Sequence, residues 1–141
     1  MVAKRRIIAT EHQEQAAVIE WWKVYAVSKK INPKLLIMIP NAQILMGSAR
    51  NKHAVMAYLR AEGFQDHAPD LFLAIPKMVR GMQLQAMLFA GLFIEIKRKG
   101  EKAKPGQIEF SYMLRQQDYN CIIAEFGADE AIRAIRAYIE T

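Results

Sequence analysis

The sequence predicts a single α/β domain, a mixed β-sheet flanked by α-helices. Three observations carry that prediction. The chain has 141 residues, the size of one domain, and is 52% apolar and 24% charged, a globular balance far from that of a disordered chain. It holds apolar runs of strand length, notably the continuous Leu71 to Ile75 and the run Leu92 to Ile96, broken only by Glu95. Those runs alternate with segments of helical apolar periodicity, and no repeat, low-complexity stretch or linker divides them.

The elements follow in order. Met1 to about Ala9 reads as a basic N-terminal tail. Thr10 suits a helix cap, with Glu11 and Glu14 favoured in the first turn by the helix dipole. That helix reaches about Ser28, with Ala17, Val18, Trp21, Trp22 and Tyr25 as its apolar stripe. After the Asn32-Pro33 break, Leu35 to Ile39 reads as a short strand. Ser48 to Ala61 reads as a second helix, stopped by Gly63. Leu71 to Ile75 is a strand covered on both faces, and Pro76 to Gly91 a Met- and Gln-rich connection. Leu92 to Lys97 is the next strand, followed by the basic turn Arg98 to Lys102. Pro105 fits the first position of a third helix reaching about Gln117. Cys121 to Phe126 closes the strands and Ala128 to Ile139 the helices.

Composition narrows the function. A net charge of +6 favours polyanionic partners. The single cysteine, Cys121, rules out an internal disulfide or a thiolate zinc cluster. His12, His53 and His67 lack metal-motif spacing and read as ordinary surface or loop residues. No long apolar run follows the basic N-terminus, so no secretory signal is expected. The longest apolar stretch, Ala86 to Ile94, is far below the roughly 20 residues a membrane span needs. A soluble protein of the cytosol, with no membrane partner, is the expectation.

Hard divalent cations need carboxylate oxygens held close together, which directs attention to acids at the ends of buried strands. Asp70 follows Pro69 at the mouth of the Leu71 run. Glu95 interrupts Leu92-Phe93-Ile94-Glu95-Ile96-Lys97, where strand alternation projects Glu95 and Lys97 to one face and Ile94 and Ile96 to the other. A carboxylate in such a run asks for a cation, because burying it unpaired is costly. A Glu-x-Lys tripeptide by itself is common, and on an edge strand it is an exposed ion pair worth under about 1 kcal/mol. Its order after Pro-Asp is what gives it weight. Glu14, on the inward stripe of the first helix, is the favoured third acid, with Glu11 the alternative. Gln107, near the start of the third helix, is placed to reach Lys97 or a bound water. Arg98, Lys99, Lys102 and Lys104 lie beside this set and suit phosphate neutralisation.

These residues, in this order, resemble the virus-type replication-repair nuclease (VRR-NUC) domain in its stand-alone phage and bacterial form. The likeness runs from Glu11-His12-Gln13-Glu14-Gln15 and Trp21-Trp22 through Pro40-Asn41, Pro69-Asp70 and Glu95-Ile96-Lys97 to Gln107. It implies a PD-(D/E)xK, restriction-endonuclease-like fold. It also implies a Mg2+- or Mn2+-dependent endonuclease with Asp70, Glu95 and Glu14 as metal ligands, Lys97 catalytic and Gln107 supporting. Stand-alone members are homodimers acting on branched DNA, including four-way (Holliday) junctions, in a bacterial or phage-infected host cytosol. The segment after Pro40-Asn41 is longer and more apolar than is usual in the family. Met78, Met82, Met87, Leu88 and Phe89 form a patch expected to be a dimer interface. A less selective nuclease acting on nicks, ends or single strands, and a catalytically vestigial DNA-binding scaffold, are the other readings.

Overall fold

The computed structural model describes residues 7–81 and 85–141; most of the basic tail and Met82 lie outside these. The element order is α1 (Glu11–Ser28), β1 (Leu36–Met38), α2 (Ala42–Met46), α3 (Lys52–Ala61), β2 (Leu71–Leu73), β3 (Lys77–Arg80), β4 (Gln85–Phe89), β5 (Leu92–Ile96), α4 (Pro105–Arg115), β6 (Asn120–Ala124) and α5 (Ala128–Glu140).

Four strands form one mixed sheet in the order β1-β2-β5-β6. β1 to β2 and β2 to β5 are antiparallel, whereas β5 and β6 are parallel, joined by a crossover through α4. Strand alternation splits the sheet into two faces. Leu71, Leu73, Leu92, Ile94 and Ile96 are buried with Val18 and Trp22 of α1 and Ala131 and Ile135 of α5. On the other face Phe72 stacks on Phe93 at 4.4 Å, and Phe93 meets Tyr119 edge-on at 5.2 Å. α4 packs over β6 on this face. The expected α/β architecture, a mixed sheet flanked by helices, is present.

The elements depart from expectation in three places. The stripe that α1 buries is Glu14, Val18, Trp22 and Ala26, spaced by four, whereas Ala17 is exposed and Trp21 and Tyr25 are half-buried. The second helix is two: α2 is capped by Asn41 Oδ1 on the N–H of Ile44, and α3 by Asn51 Oδ1 on Ala54. Pro76 to Gly91 contains a β-hairpin, β3 paired antiparallel with β4 and separate from the main sheet. Its Met- and Gln-rich sequence holds few of the β-branched and aromatic residues that announce strands.

Candidate functional site

The antiparallel register of β2 and β5 places Leu71 opposite Ile94 and Phe72 opposite Phe93. One step further along the same ladder, Asp70 comes opposite Glu95, on the face away from the core. The Asp70 N–H donates to the Ile94 carbonyl at 3.0 Å, and the Ile96 N–H donates to Asp70 Oδ2 at 2.7 Å. The chain therefore fixes Asp70 by main-chain bonds at both its backbone and its carboxylate.

Glu95 is 4% exposed and Lys97 3%, despite their charges. Glu95 Oε1 accepts a 2.7 Å hydrogen bond from Gln107 Nε2 in the first turn of α4. Lys97 Nζ stands 3.6 Å from Glu95 Oε1 and 3.6 Å from Glu11 Oε1. Glu95 Oε2 is buried with no hydrogen-bond partner. An orphaned buried carboxylate oxygen calls for a specific reason.

Electrostatics point the same way. Burial pushes the Asp70 carboxyl up to about 6, against the lowering effect of the Ile96 N–H and with a further rise from the Glu11 charge. Burial, then the charge of Asp70, pushes Glu95 up to about 8, with Lys97 only partly opposing. Burial and mutual repulsion thus make the charged forms of both carboxyls costly, and Lys97 offsets only part of that cost.

Asp70, Glu95, Lys97 and Gln107 line a cleft of about 580 Å³, along with Glu11, His12, Asn41, Asp66, His67, Arg98 and Lys104. Glu14 is not part of that lining. Its Oε2 accepts a 2.6 Å hydrogen bond from the Ala128 N–H, so it caps α5. Gly127 (φ +75°) makes this contact possible, since a Cβ there would lie 2.4 Å from Glu14 Oε2. Glu14 shares its stripe with Val18 and is drawn into the α1–α5 seam, whereas Glu11, one turn nearer the helix start, reaches the cleft. Glu14, expected as the helix-borne acid, is thus placed outside the cleft, and Glu11, the alternative weighed from the sequence, lines it. Among the described residues no three His, Cys, Asp or Glu side chains form a ready-made ion-binding group. Asp70 and Glu95 are the pair on hand, with Glu11 reaching them through Lys97.

The basic residues divide. Arg98 and Lys104 line the cleft. Lys99 pairs with Asp129 at 3.5 Å and Lys102 with Glu125 at 2.9 Å, and neither is part of the lining. His12 and His67, read from the sequence as ordinary surface histidines, both line it.

A solved structure of a VRR_NUC domain protein superposes on this fold with a TM-score of 0.67 at 26% identity, covering 96% of this chain and 92% of that one. The chain is therefore similar in fold, over nearly its whole length, to a VRR_NUC domain protein. No protein-family model matches it, and no curated protein does. The sheet and helices of this chain have the PD-(D/E)xK-like arrangement expected from the sequence. Among the described residues no helix is long and apolar enough to cross a membrane.

Proposed function

We propose that this single-domain chain is a divalent-metal-dependent DNA endonuclease, selective for branched DNA and resolving four-way junctions as a homodimer. The observation that carries the reading is the unpartnered Oε2 of Glu95, buried beside Asp70 and Lys97 at the end of β5. Three ordered acids short of one partner and short of positive charge fit a hard cation of the magnesium or manganese type. Asp70 and Glu95 hold it, with Glu11 as the third acid. When bound, such an ion withdraws charge from the phosphate and acidifies water for attack.

The remaining roles belong to the chain's own groups. Gln107 fixes the rotamer of Glu95 through its amide. The Ile96 N–H keeps the Asp70 carboxylate aimed at the cleft. Lys97, an ammonium held among carboxylates, contacts the scissile phosphate and orients the attacking water. Arg98 and Lys104 neutralise flanking phosphates.

Dimerisation is assigned to the β3–β4 hairpin, which exposes Met78, Val79, Met87 and Leu88. A two-fold axis through this patch would set two clefts on opposed strands of a junction in the bacterial or infected-host cytosol, in recombination or repair. Sedimentation at micromolar concentration should report a dimer, and Met87→Glu a monomer; a monomeric wild type removes this part.

Cleavage of four-way junction, flap, nicked and linear DNA in magnesium or manganese tests the activity. Preference for the branched substrates, abolished by chelator, is the expected result. Equal cutting of all four would favour the less selective nuclease, and none at all the vestigial scaffold.

A further inference from the structure

We infer that His67 is a DNA-contacting residue of the cleft, its imidazole N–H donating to a phosphate of the strand being cut. This rests on the nuclease reading above and adds to it a residue that none of the charged motifs announces.

The backbone gives the first observation. His67 has φ +67°, in the left-handed region that residues with a side chain seldom occupy. Its neighbours hold it there. Asp66 is tied to Arg60 Nε at 3.1 Å, and on the other side Pro69 is buried and Asp70 is locked to Ile94 and Ile96. Such conformations persist where the surroundings over-determine them, and they collect at functional sites.

The second observation comes from another part of the chain. Gly106 lies in the first turn of α4, where helix propensity favours alanine. A Cβ on Gly106 would sit 2.5 Å from Cδ2 and 2.6 Å from Nε2 of His67. Both positions therefore give up local preference, and the joint result is an imidazole that lies against Gly106 with its outer side exposed to solvent. Its seat adjoins Gln107, whose amide holds Glu95, and the ring lines the same cleft as Asp70, Lys97, Arg98 and Lys104.

The role follows from chemistry. His67 is seated against Gly106 in the first turn of α4, so the role assigned to its ring is a phosphate contact beside the Asp70–Glu95 pair. An imidazole carries a ring N–H in every protonation state it adopts at ordinary pH, so it donates to an anionic oxygen whether charged or neutral. In a cleft already lined by Lys97, Arg98 and Lys104, the anion it meets is a backbone phosphate.

The test pairs variants with altered DNA. His67→Ala should lower kcat/KM by about tenfold, the worth of one hydrogen bond to a charged group. Gly106→Ala, which crowds the ring, should lower it comparably in wild type and leave it unchanged in the His67→Ala background. Replacing single phosphates by neutral methylphosphonates should expose one position where wild type loses affinity and His67→Ala loses none. His67→Asn, which tolerates the left-handed backbone, separates loss of the ring from loss of fold. Affinity is read in chelator, so a protein that binds but never cuts sinks the nuclease reading while this contact stays measurable. His67→Ala matching wild type in affinity and kcat/KM, or a Gly106→Ala loss that persists without the ring, overturns the inference.

Discussion

Gln107 Nε2 donates a 2.7 Å hydrogen bond to Glu95 Oε1, joining the first turn of α4 to the end of β5 and leaving Oε2 without a partner. Residues that orient a metal-holding carboxylate typically matter about 10- to 100-fold in affinity or activity. Gln107→Ala should therefore weaken manganese binding and slow cleavage within that range. Titration with manganese and a cleavage time course check both; unchanged affinity and rate would show that the amide merely fills space.

Glu11 and Glu14 stand on the same helix with opposite duties. Glu14→Ala removes the carboxylate that caps α5 and leaves a buried N–H unsatisfied, a loss of about 1–3 kcal/mol. It should lower the melting temperature and spare the activity of the folded fraction. Glu11→Gln should do the reverse, since Glu11 lines the cleft and faces Lys97 across 3.6 Å. Thermal denaturation beside specific activity distinguishes them, and a crossed result would reinstate Glu14 as the functional acid.

Asp70 and Glu95 make the cation-free protein sensitive to alkali. Their carboxyls titrate near about 4 in the unfolded chain but are pushed up to about 6 and about 8 in the folded one. Between these limits the native state holds more protons than the unfolded state. The contribution of this pair is thus fully present below pH ~4 and is lost as pH rises through the folded values. In chelator, wild type should lose stability from pH 5 to 8 relative to the Asp70→Asn, Glu95→Gln double variant, and excess manganese should cancel that loss. Denaturant titrations across the series provide the check; parallel curves would mean that the two acids carry no strain.

Arg98 and Lys104 line the cleft, whereas Lys99 and Lys102 are ion-paired to Asp129 and Glu125. Replacing Arg98 or Lys104 by alanine should reduce the slope of log affinity against log salt by about 1 each for duplex arms. Lys99→Ala and Lys102→Ala should change it less. Fluorescence anisotropy at several salt concentrations measures the slopes, and equal effects from all four would return them to a single undivided patch.

The sequence discloses parts of this site to different depths, for physical reasons. Asp70 and Glu95 stand out because a charged residue beside or within an apolar strand is costly and rare, and alternation alone puts Glu95 on the face away from Ile94 and Ile96. The mixed sheet follows from the order of strands and helices. Glu14 misleads because helical spacing reports which acid is buried, not what lies at its tip, and the N-terminus of α5 is over a hundred residues away in the chain. The β3–β4 hairpin is hidden by its composition. His67 is invisible for a further reason: neither a left-handed backbone at a non-glycine residue nor its contact with Gly106 leaves a periodic trace.

Diffraction from a crystal soaked in manganese, recorded where that ion scatters anomalously, tests the central claim most directly. A peak bonded to Glu95 Oε2 and to the Asp70 carboxylate, absent from crystals of Glu95→Gln, is the predicted result. A Glu95 Oε2 that stays bare at saturating manganese, with the ion bound elsewhere or nowhere, would contradict it.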